Sequence, residues 1–270
     1  MDQQLHDVIK SIAAAVPTHG GTPLVVGLAG SVAAGKSTLA GKLADGWRDL
    51  GRRVEVVSTD GFLHPNRILQ KRGLLLRKGF PESYDHHAFS AFLDAVWRDG
   101  KHGGKVVVPT YSHQTYDVSF DAGREIAPSD ILVVEGINAL QPAFTAGKLD
   151  ISIYLDAVET DLFDWYYERG TRLREAAKYD PTSFFVRYLS LSDAEWDAQL
   201  KAFWNDINLP NLYQHIAPTR QLADYVLHKT RGHTLSVVRT PSSSDNAVAS
   251  YCGTTSSIAK SRTPCKSQTL

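Results

Sequence analysis

Residues 24–39 read LVVGLAGSVAAGKSTL. The apolar run Leu24, Val25, Val26 is a short strand, the small residues after it are a loop, and a helix opens near Lys36. Within that frame Gly30, Gly35, Lys36 and Ser37 fill the fixed places of G-x-x-x-x-G-K-[ST]. A polyphosphate demands such a loop, because backbone N–H groups must converge on its oxygens and an inward side chain would block them. Gly30, Ser31, Val32, Ala33, Ala34 and Gly35 form the expected cradle, and Thr38 follows in the first helical turn. The helix N-terminus adds its dipole and free N–H donors. Lys36 is placed to reach the β- and γ-phosphates, and Ser37 offers a hydroxyl to Mg2+. The stretch implies a nucleoside triphosphate ligand.

The chain has 270 residues, 43% of them hydrophobic, enough for one sizeable core without a second domain. Twenty-nine basic and 29 acidic side chains cancel, so no global field favours nucleic acid or an anionic membrane. No apolar run approaches the ~20 residues of a membrane span. Asp2, Gln3 and Gln4 stand where a secretory leader would carry positive charge. The only two cysteines, Cys252 and Cys265, lie in the tail and leave the fold no disulfide framework or Cys-based zinc site. A cytoplasmic location is the expectation.

Leu5, Val8, Ile9, Ile12 and Ala13 share one face of a predicted helix over 1–15. Residues 37–50 continue as a helix, and 53–59 (RVEVVST) read as a second strand ending at Asp60 and Gly61. The segment 62–84 has no clean periodicity and is dense in Arg and Lys. A helix over 86–98 places Phe89, Phe92, Leu93 and Val96 at helical spacing. Residues 105–111 (KVVVPTY) read as a short strand in which Pro109 marks an edge or an end. The runs 131–134 (ILVV) and 151–155 (ISIYL) suit parallel strands buried on both faces. A long charged helix over 159–179 carries Arg169, Arg172 and Arg174. A second helical stretch, 193–208, ends at Leu209 and Pro210, and 225–228 and 234–238 read as final strands. Strands alternating with helices predict an α/β fold, a three-layer sandwich of the P-loop NTPase type whose mostly parallel sheet is flanked by helices. It occupies one domain, 1–240. Residues 241–270, rich in Ser and Thr without apolar period, read as a disordered tail.

Three polar groups fall at the C-terminal ends of predicted parallel strands: the phosphate loop, Asp60, and Glu135 after ILVV. In open α/β sheets that edge binds ligands. Asp60 is a candidate general base for a substrate hydroxyl, against the alternative of an ordinary Asp-Gly turn. Glu135 is placed to hold Mg2+ or its water, against a strand-end carboxylate with a structural hydrogen bond. An Arg of the cluster could close over the γ-phosphate, although a solvated helix face explains most such clusters, and spacing does not say which Arg acts. Trp97, Trp165, Trp196 and Trp204 read as core or helix-packing residues. His86 and His87 are adjacent, do not share a helix face, and are set aside as metal ligands.

Six stretches carry a resemblance. GLAGSVAAGKST (27–38), STDGFLHPN (58–66), KGFPESYD (78–85), YSH with YD close behind (111–117), ILVVEGINALQ (131–141) and INLPNL (207–212) resemble the bacterial type I pantothenate kinases, within the phosphoribulokinase/uridine kinase superfamily. The resemblance runs in unbroken order over 24–239, and DGFLHPN and KGFPESYD are much more specific than a phosphate loop. It implies a homodimeric P-loop kinase that phosphorylates the primary hydroxyl of pantothenate with MgATP, the first step of coenzyme A synthesis, and that coenzyme A inhibits at the ATP site. By position it makes Lys36 and Ser37 the phosphate and Mg2+ residues, Asp60 the base, and Arg169 the arginine facing the transferred group. Tyr111, His113, Tyr166 and Asn208 would contact pantothenate, with Phe185, Tyr188 and Ile207 beside them. Lys78 would lie near the nucleotide phosphates and His233 by the adenine.

Departures qualify what the resemblance implies. Gly41, with Lys42 beside it, replaces an Arg that in the family helps to hold coenzyme A, so weak inhibition is expected. Gly170 and Leu173 replace aromatics near the pantetheine end, and Phe184 replaces a Tyr. The alternatives are a kinase of another small alcohol or of a nucleoside such as uridine, and a nucleotide-binding regulator without catalysis. Gly170, Leu173 and Phe184 favour the former, whereas Tyr111, His113, Tyr166 and Asn208 oppose it. Intact Lys36, Ser37, Asp60 and Arg169 oppose the latter.

Overall fold

The apolar runs become the centre of a sheet. The computed structural model describes residues 3–16, 22–100, 104–145 and 147–241. Its elements run α1 (Gln3–Ala15), β1 (Leu24–Gly30), α2 (Lys36–Asp49), β2 (Val54–Ser58), α3 (Asn66–Lys71), α4 (His86–Gly100), β3 (Val106–Ser112) and β4 (Asp117–Ile126). There follow β5 (Ile131–Glu135), α5 (Pro142–Thr145), β6 (Ile151–Asp156), α6 (Glu159–Ala176), α7 (Asp193–Phe203), β7 (Tyr225–Lys229) and β8 (Leu235–Arg239). Met1–Thr240 forms one compact unit. The tail expected over 241–270 lies, beyond Pro241, outside the described residues.

Six strands pair in the order β2-β5-β1-β6-β7-β8. All neighbours are parallel except β7 and β8. Every residue of β1 and β5 is buried, as a continuous apolar run requires of a strand covered on both faces. Helix α2 packs on β1, β2 and β5, while α4 packs on α5 and β3. The amphipathic α1 buries Leu5, Val8, Ile9, Ile12 and Ala13, and α2 anchors it through Trp47, whose Nε1 donates to Ile9 O at 3.0 Å. Pairing sets Glu135 beside both Leu28 and Ser58. The phosphate loop, the Asp60 turn and Glu135 therefore leave the sheet at one edge.

Local patterns mislead in three places. The strand expected over 105–111 does not join the main sheet; β3 pairs antiparallel with β4, a strand whose mixed polarity gave no periodic signal. The hairpin docks on the sheet edge through Arg124, which donates to Glu55 and to Val56 O, each at 2.7 Å. Pro109 sits where the register shifts between Val108 and Thr110, at an irregularity that needs no donor from it. Next, β8 runs antiparallel to β7, because a link this short makes a hairpin rather than a crossover. Finally, the helical path begun by α7 does not end at Leu209 and Pro210. It winds on through wide turns, Trp204–Asn208 and Leu212–Ile216, and a tight one, Ala217–Leu222. Pro210 falls in a first-turn position, where a missing N–H is no loss. Among the described residues no helix is long and apolar enough to cross a membrane.

Candidate active site

The phosphate loop takes its shape from backbone constraints. A Cβ on Gly30 would lie 2.4 Å from Leu155 O on the neighbouring strand, so the chain leaves β1 there only as glycine. Gly35, at φ 96°, turns the chain left-handed into α2. Ala33 also has positive φ, Ala34 is fully buried, and Val32 is half-buried. No side chain caps α2, so its first-turn N–H groups remain for a ligand. The Lys36 ammonium donates to Ser31 O at 2.8 Å. Burial lowers its pKa, while Glu135 and Asp60 pull it back up. The Ser31 hydroxyl is buried without a partner, an orphaned polar atom in the cradle that suits a phosphate ligand.

Beneath the loop, Ser37 Oγ donates to Glu135 Oε1 at 3.0 Å, while Thr38 beside it is exposed. Burial raises the Glu135 pKa; Lys36 and hydrogen bonds from Ser37 and Ser58 oppose the rise. A hydroxyl and a carboxylate are hard oxygen donors of the kind Mg2+ takes, with phosphate oxygens and water completing its shell.

Asp60 stands in the tight turn Thr59–Phe62, its N–H on Ser58 Oγ at 3.3 Å and its Oδ1 accepting from the Tyr84 hydroxyl at 3.1 Å. The β3–β4 hairpin brings Tyr111 and His113 beside it, with ring centroids 5.1 Å apart. A cavity of about 220 Å³ opens among Ser58, Asp60, Glu135, Tyr111 and His113. Burial and the nearby Arg169 lower the His113 pKa and favour neutral imidazole, and burial raises the Tyr111 phenol.

The structure separates the arginine cluster. The Arg169 charge lies near enough to Lys36, Tyr111, His113 and Tyr166 to lower each of their pKa values. Arg172 is exposed. Arg174 is 8% exposed and committed elsewhere, donating to Tyr188 O at 3.1 Å, Asp193 at 3.0 Å and Leu191 O.

In the wide turn Trp204–Asn208 the Asn208 amide donates to Phe203 O at 2.9 Å and lies beside Tyr166, whose pKa burial raises. Ile207 is half-buried in the same turn. Phe185 and Tyr188 lie on the tight turn Phe184–Tyr188, with ring centroids 6.2 Å apart. Phe184 stacks on Tyr116 at 4.6 Å, and its N–H donates to Gln114 O at 2.8 Å, which ties this turn to the hairpin.

Lys78 sits among the hairpin aromatics. Its ammonium donates to Asn66 Oδ1 at 2.7 Å and to Tyr116 O, 5.0 Å from the Tyr111 centroid and 4.4 Å from that of Tyr116. On the opposite flank of the loop, the exposed His233 stacks on Trp165 at 5.4 Å. Lys229 lies 3.7 Å over the same indole and donates to Ala34 O at 2.9 Å. Trp165, read from sequence as packing, thus forms a wall beside the loop. Tyr84 and Tyr116 lie in the quoted stretches without a role assigned to them, and Trp165 and Lys229 carried no signal of a site; their neighbours in space reveal all four.

The Phosphoribulokinase / Uridine kinase family matches residues 25–174. The pantothenate kinase of Clavibacter michiganensis subsp. michiganensis is 47% identical over 227 residues, covering 80% of this chain and 70% of that protein. The pantothenate kinase of Rhizobium johnstonii is 47% identical over 234 residues, covering 80% and 68%. Among solved structures, a candidate fructose transport system kinase from a Silicibacter species matches with a TM-score of 0.62 at 26% identity, over 81% of this chain and 94% of that one.

Proposed function

The chain belongs to the pantothenate kinases of the phosphoribulokinase/uridine kinase family, and we propose that it transfers the γ-phosphoryl group of ATP to the primary hydroxyl of pantothenate, giving 4'-phosphopantothenate. One observation carries the reading: Asp60, Glu135, Tyr111 and His113 line one cavity beside the phosphate loop, and the Arg169 charge lowers the pKa of Lys36, Tyr111, His113 and Tyr166 around it. A nucleotide side and an alcohol side thus share one arginine.

In this reading Lys36 and the loop N–H groups bind the phosphates. Ser37 and Glu135 hold Mg2+, which when bound neutralises phosphate charge. Asp60 accepts the hydroxyl proton, and Arg169 faces the charge on the transferred group. Tyr111, His113, Tyr166 and Asn208 orient pantothenate, whose apolar surface meets Phe185, Tyr188 and Ile207. Neutral His113 both donates and accepts, which suits an amide and hydroxyl ligand. Lys78 adds positive charge, and His233 on Trp165 offers a face to adenine. The proposal extends to a cytoplasmic homodimer with one kinase domain over 1–240 and an accessory tail over 241–270. It also includes weak inhibition by coenzyme A, since Gly41 supplies no charge.

Nucleotide-dependent turnover with a panel of alcohols tests the reading. The expected result is ADP release with pantothenate and none with uridine. Preferred turnover of uridine or another alcohol would pass the assignment to a sister activity of the superfamily, and no turnover with any would favour a regulator.

A further inference from the structure

We propose that Tyr84 is a positioning residue for Asp60, holding its carboxylate through a direct hydrogen bond from a buried, fixed hydroxyl. The proposal rests on the reading of Asp60 as general base. Tyr84 follows the tight turn Pro81–Ser83, and an isolated bridge to Leu63 fixes its backbone. Its ring is 3% exposed and packs edge-on against Phe144 at 5.4 Å. The hydroxyl meets Asp60 Oδ1 at 3.1 Å.

Asn138 flanks that hydroxyl. Its side chain is fully buried, and Nδ2 donates to Gly79 O at 3.0 Å. The Asp60 carboxylate can only accept, so the Tyr84 hydroxyl proton is directed at Oδ1. Gly79 O also accepts from Asn211 Nδ2 at 3.0 Å. Burial holds the Tyr84 phenol well above its usual pKa, so it stays a donor at working pH.

Three of the sequence stretches, 78–85, 131–141 and 207–212, therefore meet at Gly79 O, and the first of them carries Tyr84 to Asp60. The chemical consequence is orientation. With Oδ1 engaged, the carboxylate resists rotation about Cβ–Cγ and leaves Oδ2 for the proton of the attacking hydroxyl. A freely rotating carboxylate would reach that geometry only part of the time.

Tyr84→Phe keeps the ring and removes the hydroxyl. For whichever alcohol the protein phosphorylates, kcat is expected to fall about 10- to 100-fold, the range for loss of a hydrogen bond to a charged group. KM for ATP and for the alcohol should stay within about twofold, and Tm nearly constant. Added to Asp60→Asn, the same change should cost no further rate, because Tyr84 acts only through Asp60. An unchanged kcat in Tyr84→Phe, or a full extra loss in the double variant, overturns the proposal. If Tyr84→Phe melts too low for the standard assay, both proteins are compared in single turnovers well below its Tm, where an unchanged kcat is equally fatal. Near-normal turnover in Asp60→Asn alone would remove the general-base reading itself, so the two failures are distinguishable.

Discussion

Ser37 and Glu135 are joined by a 3.0 Å hydrogen bond although 98 positions separate them in the chain. Strand register makes the meeting obligatory: Glu135 ends β5 directly beside Leu28, and the loop after β1 returns Ser37 to that edge. The pair offers two oxygens to one cation. Glu135→Gln keeps the shape and removes the charge, so the Mg2+ concentration for half-maximal rate should rise about 10- to 100-fold. Titrating MgCl2 at saturating nucleotide checks this; an unchanged Mg2+ requirement would assign Glu135 a structural role.

Arg169 and Arg174 lie five positions apart on one helix and should fail differently. Arg174→Ala removes the buried guanidinium that bonds Tyr188 O and Leu191 O, at a cost of about 1–3 kcal/mol in stability. Its Tm should drop by several degrees with kcat little changed in the folded fraction. Arg169→Ala should hold its Tm and lose about 100-fold or more in kcat. The discriminating measurement is thermal unfolding beside single-turnover rates for both variants.

Lys78 sets an alkaline limit. Burial depresses its pKa to about 8, against the pull of Asp117 and Asp60. The ammonium is charged below that pH and neutral above it, so kcat/KM should fall as pH rises through about 8. Lys78→Arg keeps its charge and should carry the plateau past about pH 9. Stability moves the other way. The folded pKa lies below the unfolded value of 10.5, the unfolded chain binds more protons between the two, and this group's contribution therefore improves with pH across that window. Rates and Tm from about pH 6.5 to 9.5 separate the two effects.

Gly41 leaves open space on α2, since a Cβ there meets nothing within 4 Å. Gly41→Arg should therefore fold normally and strengthen inhibition by coenzyme A about 10- to 100-fold, the worth of one charge-assisted contact. KM for ATP should barely move. Tight inhibition of the unaltered protein would point instead to Lys42, whose charge already reaches Lys229.

Gly170 tells a related story from inside the core. A Cβ there would lie 2.7 Å from Leu200 Cδ2, so the aromatic side chain that the resemblance places here would have to displace the buried Leu200 side chain.

What the sequence determined by itself is local. The phosphate loop, the helix after it and the apolar face of α1 follow from spacing within a few residues, and the strands β1, β5 and β6 follow from short apolar runs. Strand ends alone nominated Asp60 and Glu135, because the ligand edge of a parallel sheet is known before its strand order is. Tertiary structure decided everything that depends on partners far apart in the chain. It split Arg169 from Arg174, although both lie on α6 with the same kind of side chain, because the carbonyls of Tyr188 and Leu191 and the Asp193 carboxylate hold Arg174. It moved β3 out of the main sheet, since β4 rather than the sheet edge satisfies its backbone. It also gave Tyr84 its partner. Periodicity and propensity act over a turn or a pleat, whereas a hydrogen bond such as that from Tyr84 to Asp60 exists only once distant segments have packed.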